Sequence, residues 1–100
     1  MAKNIKWSKQ AVADRIQILD YWFKRLGDKT YSKKLDKNLR ETILFLSEHP
    51  LMGKESEEHC MRCFVKGNYQ IYYQIKMNCI ELLHIWDSRR NPEDLGKTFI

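Results

Sequence analysis

The chain has 100 residues, 43% hydrophobic and 31% charged, with four glycines and two prolines. That is the composition of one globular domain, and it excludes disordered, collagen-like and low-complexity classes. Eighteen Lys and Arg against thirteen Asp and Glu give a net charge of +5, which suits an acidic partner: nucleic acid, ribosome, acidic protein or anionic membrane.

The longest apolar run, Ile43-Leu44-Phe45-Leu46, is four residues. A membrane span needs ~20 and a signal-peptide core ~7–15. No membrane contact and a cytoplasmic location are therefore expected. Cys60, Cys63 and Cys79 are an odd set without a secretory signal and read as reduced thiols.

Ile5-Lys6-Trp7 alternates as a short strand, and Ser8 can cap the helix that follows. Val12, Ile16, Leu19, Phe23 and Leu26 recur at helical spacing and predict one apolar stripe on a helix of about 18 residues. Gly27 is its expected stop, and Asp28 can open the next helix. There Tyr31, Leu35, Leu39, Ile43 and Leu46 form a second stripe. The short Gly27–Lys29 link implies an antiparallel helical hairpin. His49-Pro50 ends the pattern, because the residue before proline avoids the helical region.

Residues 50–58 read as a polar loop with Gly53 as its turn residue. Three strands are predicted after it: 60–65, 68–76 and 80–86. Tyr69, Ile71, Tyr73 and Ile75 share one face of the second. Leu82, Leu83, Ile85 and Trp86 place apolar groups on both faces of the third, so that strand is expected to be central. The order is β-α-α-β-β-β. It describes an α+β domain with a helical hairpin on one face of a small antiparallel sheet.

Three features invite a functional reading from the residues themselves. His59-Cys60-Met61-Arg62-Cys63 contains C-x-x-C, but on a strand the two thiols point to opposite faces, so no metal or other cofactor is expected. Lys29, Lys33, Lys34, Lys37 and Arg40 form a solvated face of the second helix that would add phosphate contacts in a nucleic-acid reader. The aromatics Trp7, Tyr21, Trp22, Phe23, Tyr73 and Trp86 read mainly as core.

Over residues 5–95 the pattern resembles the RelE/ParE superfamily of toxins from bacterial type II toxin–antitoxin modules. The resemblance is carried by Ile5-Lys6-Trp7-Ser8 and by the hairpin ending in His49-Pro50-Leu51-Met52-Gly53. Arg62 on a strand, the segment Tyr69-Gln70-Ile71-Tyr72-Tyr73-Gln74-Ile75, and Ile80–Ile85 leading to Arg89-Arg90-Asn91-Pro92 complete it. It implies a toxin held inactive by a cognate antitoxin, an acidic and partly disordered segment that wraps the toxin. RelE-like members cleave mRNA in the ribosomal A site without a metal. ParE-like members inhibit DNA gyrase and need no catalytic residues.

For the cleavage reading, Arg62 matches the family's strand arginine, and a guanidinium fork suits phosphate oxygens. Arg89 would hold the same phosphate. His84 or a loop glutamate, Glu57 first among Glu55, Glu57 and Glu58, would move protons. Lys54, Lys66 and Arg90 would add binding contacts. His84, alternating with apolar residues, also reads as a hydrogen-bonded core histidine, and Arg62 as the partner of a neighbouring glutamate. The segment 94–100 lacks the Tyr or His that RNA-cleaving relatives carry near the C-terminus, and their lysine pair is not matched at Lys54. The reading taken first is ribosome-dependent mRNA cleavage, and these departures keep non-catalytic gyrase inhibition and a degenerate non-toxic scaffold as its alternatives.

Overall fold

The computed structural model describes residues 3–56 and 61–88. Strand β1 (Asn4–Trp7) leads into helices α1 (Lys9–Leu26) and α2 (Thr30–Glu48), a single 3₁₀ turn at Pro50–Met52, and then β2 (Lys54–Ser56), β3 (Met61–Lys66), β4 (Tyr69–Ile75) and β5 (Cys79–Asp87). They form one five-stranded sheet in the order β1-β5-β4-β3-β2. The α+β class and the central third strand stand as read from the sequence.

Local chemistry sets the boundaries. The Ser8 hydroxyl accepts from Ala11 N–H and donates to Leu83 O, both at 3.0 Å, so it caps α1 and ties it to β5. Gly27 ends α1 at φ 78°, a left-handed conformation that glycine adopts without strain. Asp28 accepts from Thr30 N–H at 2.9 Å, while Lys29 occupies the cap position of α2. Asp28 therefore supports the helix start from one residue further out than expected.

Three expectations are corrected. The sheet is mixed, because β1 runs parallel to β5, with Ile5 opposite Ile80 and Trp7 opposite Leu82. Pairing sequence neighbours alone does not reveal such a distant partner. Residues 54–56 are an edge strand, not loop, paired with Cys63, Arg62 and Met61. Its polarity reflects the solvent on its outer side.

The third correction concerns α1. The buried side is Ala11, Asp14 and Ile18, whereas Val12 and Ile16 are 42% and 61% exposed. Ala11 lets the helix come close to the sheet. The predicted stripe lies roughly a third of a turn away at ~100° per residue. On α2, Leu35, Leu39, Ile43 and Leu46 are buried as the spacing indicated, and Tyr31 is exposed.

The core has two connected parts. One gathers Ala11, Ile43, Leu46, Ile71, Tyr73 and Leu82, and the other Ile18, Leu35, Leu39, Tyr69 and Ile85; Trp7 packs against both. The β4 face holds Tyr69, Ile71 and Tyr73 inside, but Ile75 at the strand end is exposed.

Across the hairpin, Arg15 forms a two-point contact with Asp36 at 2.6 and 2.9 Å, and Arg40 approaches the same carboxylate at 3.3 Å. The Arg15 hydrogen bond holds the Asp36 carboxyl below its ordinary range, although partial burial opposes it. A lowered folded value stabilises above the unfolded pKa and is lost as pH falls through the folded one. Asp36→Asn is expected to cost about 1 kcal/mol near neutrality, since the arginines stay partly solvated. Urea titrations at neutral pH and at acid pH check this: the gap between wild type and variant closes in acid.

Candidate functional site

The segment from Pro50 to Lys54 leaves α2 and turns onto the edge of the sheet. Tyr73 on β4 anchors it from below. Its fully buried hydroxyl donates to Pro50 O at 2.7 Å and accepts from Gly53 N–H at 2.9 Å. Burial pushes this phenol above its ordinary pKa, so it remains a donor at neutral pH. Arg62 on β3 holds the same turn from the side. Its Nη1 donates to Gly53 O at 2.8 Å and reaches Leu51 O at 3.5 Å, while Nη2 lies 3.8 Å from Glu55 Oε2.

Beside this turn Glu55, Arg62 and Gln74 line a shallow cleft of about 240 Å³. Lys54 precedes Glu55 on β2, exposed and paired opposite Cys63. Lys66 lies at the other end of β3, on a separate cleft of about 380 Å³ with Phe45, Phe64 and Thr42. Arg62 and Glu55 are thus brought together, whereas Lys54, opposite Cys63, stands on the other face and Lys66 at the other end of the strand.

His84 is also held apart. The register sets Arg62 opposite Tyr73, and His84 opposite Tyr72. Tyr72 and Tyr73 are consecutive on one strand, so Arg62 and His84 stand on opposite faces. His84 Nδ1 pairs with Asp14 Oδ2, and both residues are buried. The same oxygen accepts from Ile85 N–H at 3.0 Å, and Gln10 Nε2 donates to the other at 2.8 Å. The expected convergence of Arg62 and His84 on one face is therefore corrected. An alternating central strand points adjacent chemistry in opposite directions. Glu57, Arg89 and Arg90, with His59 and Cys60, lie outside the described residues.

On the far face Cys63 and Tyr72 are hydrogen-bonded neighbours, and desolvation raises both, Tyr72 to about 12. Both are neutral at physiological pH.

Sequence reasoning missed Asp14, the Tyr73 hydroxyl as an anchor, and the Phe45–Phe64 cleft. For Asp14 a signal existed, since Ala11, Asp14 and Ile18 are themselves at helical spacing.

The sequence family described as the ParE toxin of the type II toxin–antitoxin system parDE matches residues 5–92. The chain belongs to the ParE toxin family. Such a family implies a cognate antitoxin as partner. Among solved structures the fold is similar to one described as the chromosomal ParDE TA system from P. aeruginosa, with a TM-score of 0.75 and 21% identity, over 86% of this chain and 96% of that one. No curated protein matches the ParE-family chain described here. No helix among its described residues is long and apolar enough to cross a membrane.

Proposed function

We propose that this chain is a toxin that acts by binding, as an inhibitor of DNA gyrase, and that its antitoxin silences it by covering the Arg62 edge of the sheet together with Arg89. The observation that carries this reading is the employment of Arg62. Its guanidinium is engaged by Gly53 O and faces Glu55, and its side chain is 22% exposed. A transition-state phosphate clamp needs its donors aimed at the phosphate. His84 is buried on the other face with Asp14 and cannot move protons beside it. Membership of the ParE family points the same way.

The test uses the full chain with purified gyrase and relaxed plasmid, beside pulse labelling in bacteria after brief induction. Supercoiling is expected to be lost in vitro, and thymidine incorporation to fall before amino-acid incorporation. Arg62→Gln, folded, is expected to stay inhibitory.

One observation favours mRNA cleavage on the ribosome instead: Arg62 and Glu55 meet at one small cleft, a cation and a carboxylate of the kind such chemistry uses. On that reading translation falls first, and Arg62→Gln lowers cleavage by about a hundredfold or more. That result would replace the gyrase proposal, and Glu57, Arg89, Arg90 and Lys66 would be tested next.

A further inference from the structure

The far end of the helical hairpin concentrates the charge of the molecule. Residues 24–34 carry Lys24, Arg25, Lys29, Lys33 and Lys34 against Asp28 alone, a net +4 of the chain's +5. All five cations are exposed. Lys24 shares its charge with Asp20 at 2.9 Å, and Lys29 lies 5.7 Å from the centre of the Phe23 ring.

Aromatic rings are set among these cations. Tyr21, Trp22 and Tyr31 form a contact series, with ring centres 5.2 Å and then 4.9 Å apart. Trp22, in the middle, is fixed to the sheet by its Nε1–H, which donates to the Tyr69 hydroxyl at 3.0 Å. The outer rings are held by it yet remain 50% and 40% exposed. Next to Tyr31 a cleft of about 210 Å³ is lined by Asn38, Lys66 and Asn68. Side-chain amides can meet the edges of an unstacked base, and a lysine its phosphate.

From this arrangement we infer that the hairpin tip binds single-stranded nucleic acid, with Tyr21 and Tyr31 as stacking platforms and the cations as phosphate contacts. Rings interleaved with cations recognise a strand whose bases are free to stack. A duplex keeps its bases occupied with one another and would use only the charge. An acidic polypeptide would likewise use the lysines and leave the rings idle. This surface is separate from the Arg62 turn, and the inference goes beyond gyrase inhibition.

Fluorescence anisotropy of the full chain with a short labelled oligothymidylate tests it without gyrase or ribosome. Binding is expected with a slope of log K on log salt of about −3 to −4, for five phosphate contacts. Tyr21→Ala with Tyr31→Ala is expected to weaken it by about tenfold per ring, whereas Phe at both positions keeps it. Lys33→Ala with Lys34→Ala lowers the slope by about 1.4. Circular dichroism checks folding, and the lysine pair, being fully on the surface, decides if the alanine pair fails to fold. An unchanged slope in that pair overturns the inference. So does equal binding to polyglutamate or to duplex with no effect of the tyrosines, and so does an absence of binding at low salt.

Discussion

Asp14→Ala is expected to remove about 3–4 kcal/mol of stability, the largest effect of any single change proposed for this chain. The reason is the position of one carboxylate oxygen. β1 stops opposite Leu82, and beyond that point the edge of β5 is met by α1. There Asp14 Oδ2 satisfies Ile85 N–H and His84 Nδ1 together, while Oδ1 takes the Gln10 amide. Alanine leaves a buried backbone donor and a buried imidazole without that acceptor, and each carries its full desolvation cost. A domain of this size has roughly 5–15 kcal/mol in total, so the variant would stand close to unfolding. Urea denaturation should show the midpoint falling by roughly 2 M. Asp14→Asn keeps one acceptor oxygen and should lose less. In the double variant Asp14→Ala/His84→Phe the imidazole no longer needs a partner, and part of the loss should return. A cost below about 1 kcal/mol for the single change would show that water replaces the carboxylate there.

The same carboxylate explains where the sequence was legible and where it was not. The hairpin boundaries were legible because single residues enforce them: a serine cap, a left-handed glycine, and a proline that no helix interior accepts. The buried face of α2 was legible because Leu35, Leu39, Ile43 and Leu46 leave no competing stripe. On α1 two candidate stripes compete. The apolar one is the more exposed, and the one turned inward contains an aspartate. A buried acid is readable only together with its partners, and those lie 70 and 71 positions away on β5. The parallel pairing of β1 with β5 was hidden for a similar reason. Alternation in Ile5–Trp7 says that a strand exists but not which distant strand it joins.

The candidate site shows the limit more sharply. Arg62 could be chosen from the sequence as a cation on a strand. The neighbouring glutamate expected for it is Glu55, at 3.8 Å, but its closest partner is a backbone carbonyl of a turn, and carbonyls have no signature in a sequence. A guanidinium selected for phosphate and one selected to hold a turn look alike until the turn is in place. The exposed cations and rings of the hairpin were visible residue by residue. Their grouping depended on Trp22 being fastened to Tyr69, 47 positions away.

Gly53→Ala is expected to cost about 3 kcal/mol, although its backbone, at φ −73° and ψ 146°, suits alanine. The obstacle is Tyr73. A methyl group at Gly53 would overlap the Tyr73 hydroxyl and lie 2.7 Å from Cε1 and 2.9 Å from Cζ. That ring is fully buried in the central part of the sheet and cannot swing aside. The turn must move instead, and it takes with it the bonds from Gly53 N–H to Tyr73, from Tyr73 to Pro50 O and from Arg62 to Gly53 O. Tyr73→Phe alone should cost about 1–2 kcal/mol, because it removes the acceptor of the buried Gly53 N–H and the donor to the part-buried Pro50 O. The two changes touch the same atoms, so they should not add. With the hydroxyl gone the closest overlap disappears, and the double variant should be at least about 1 kcal/mol more stable than the sum of the singles predicts. A thermodynamic cycle from four urea curves measures that coupling. Strict additivity would mean that the turn accommodates the methyl group without pressing on Tyr73. A measured coupling would show that the Gly53 turn and Tyr73 act as one unit, and it is the carbonyl of this turn that Arg62 holds.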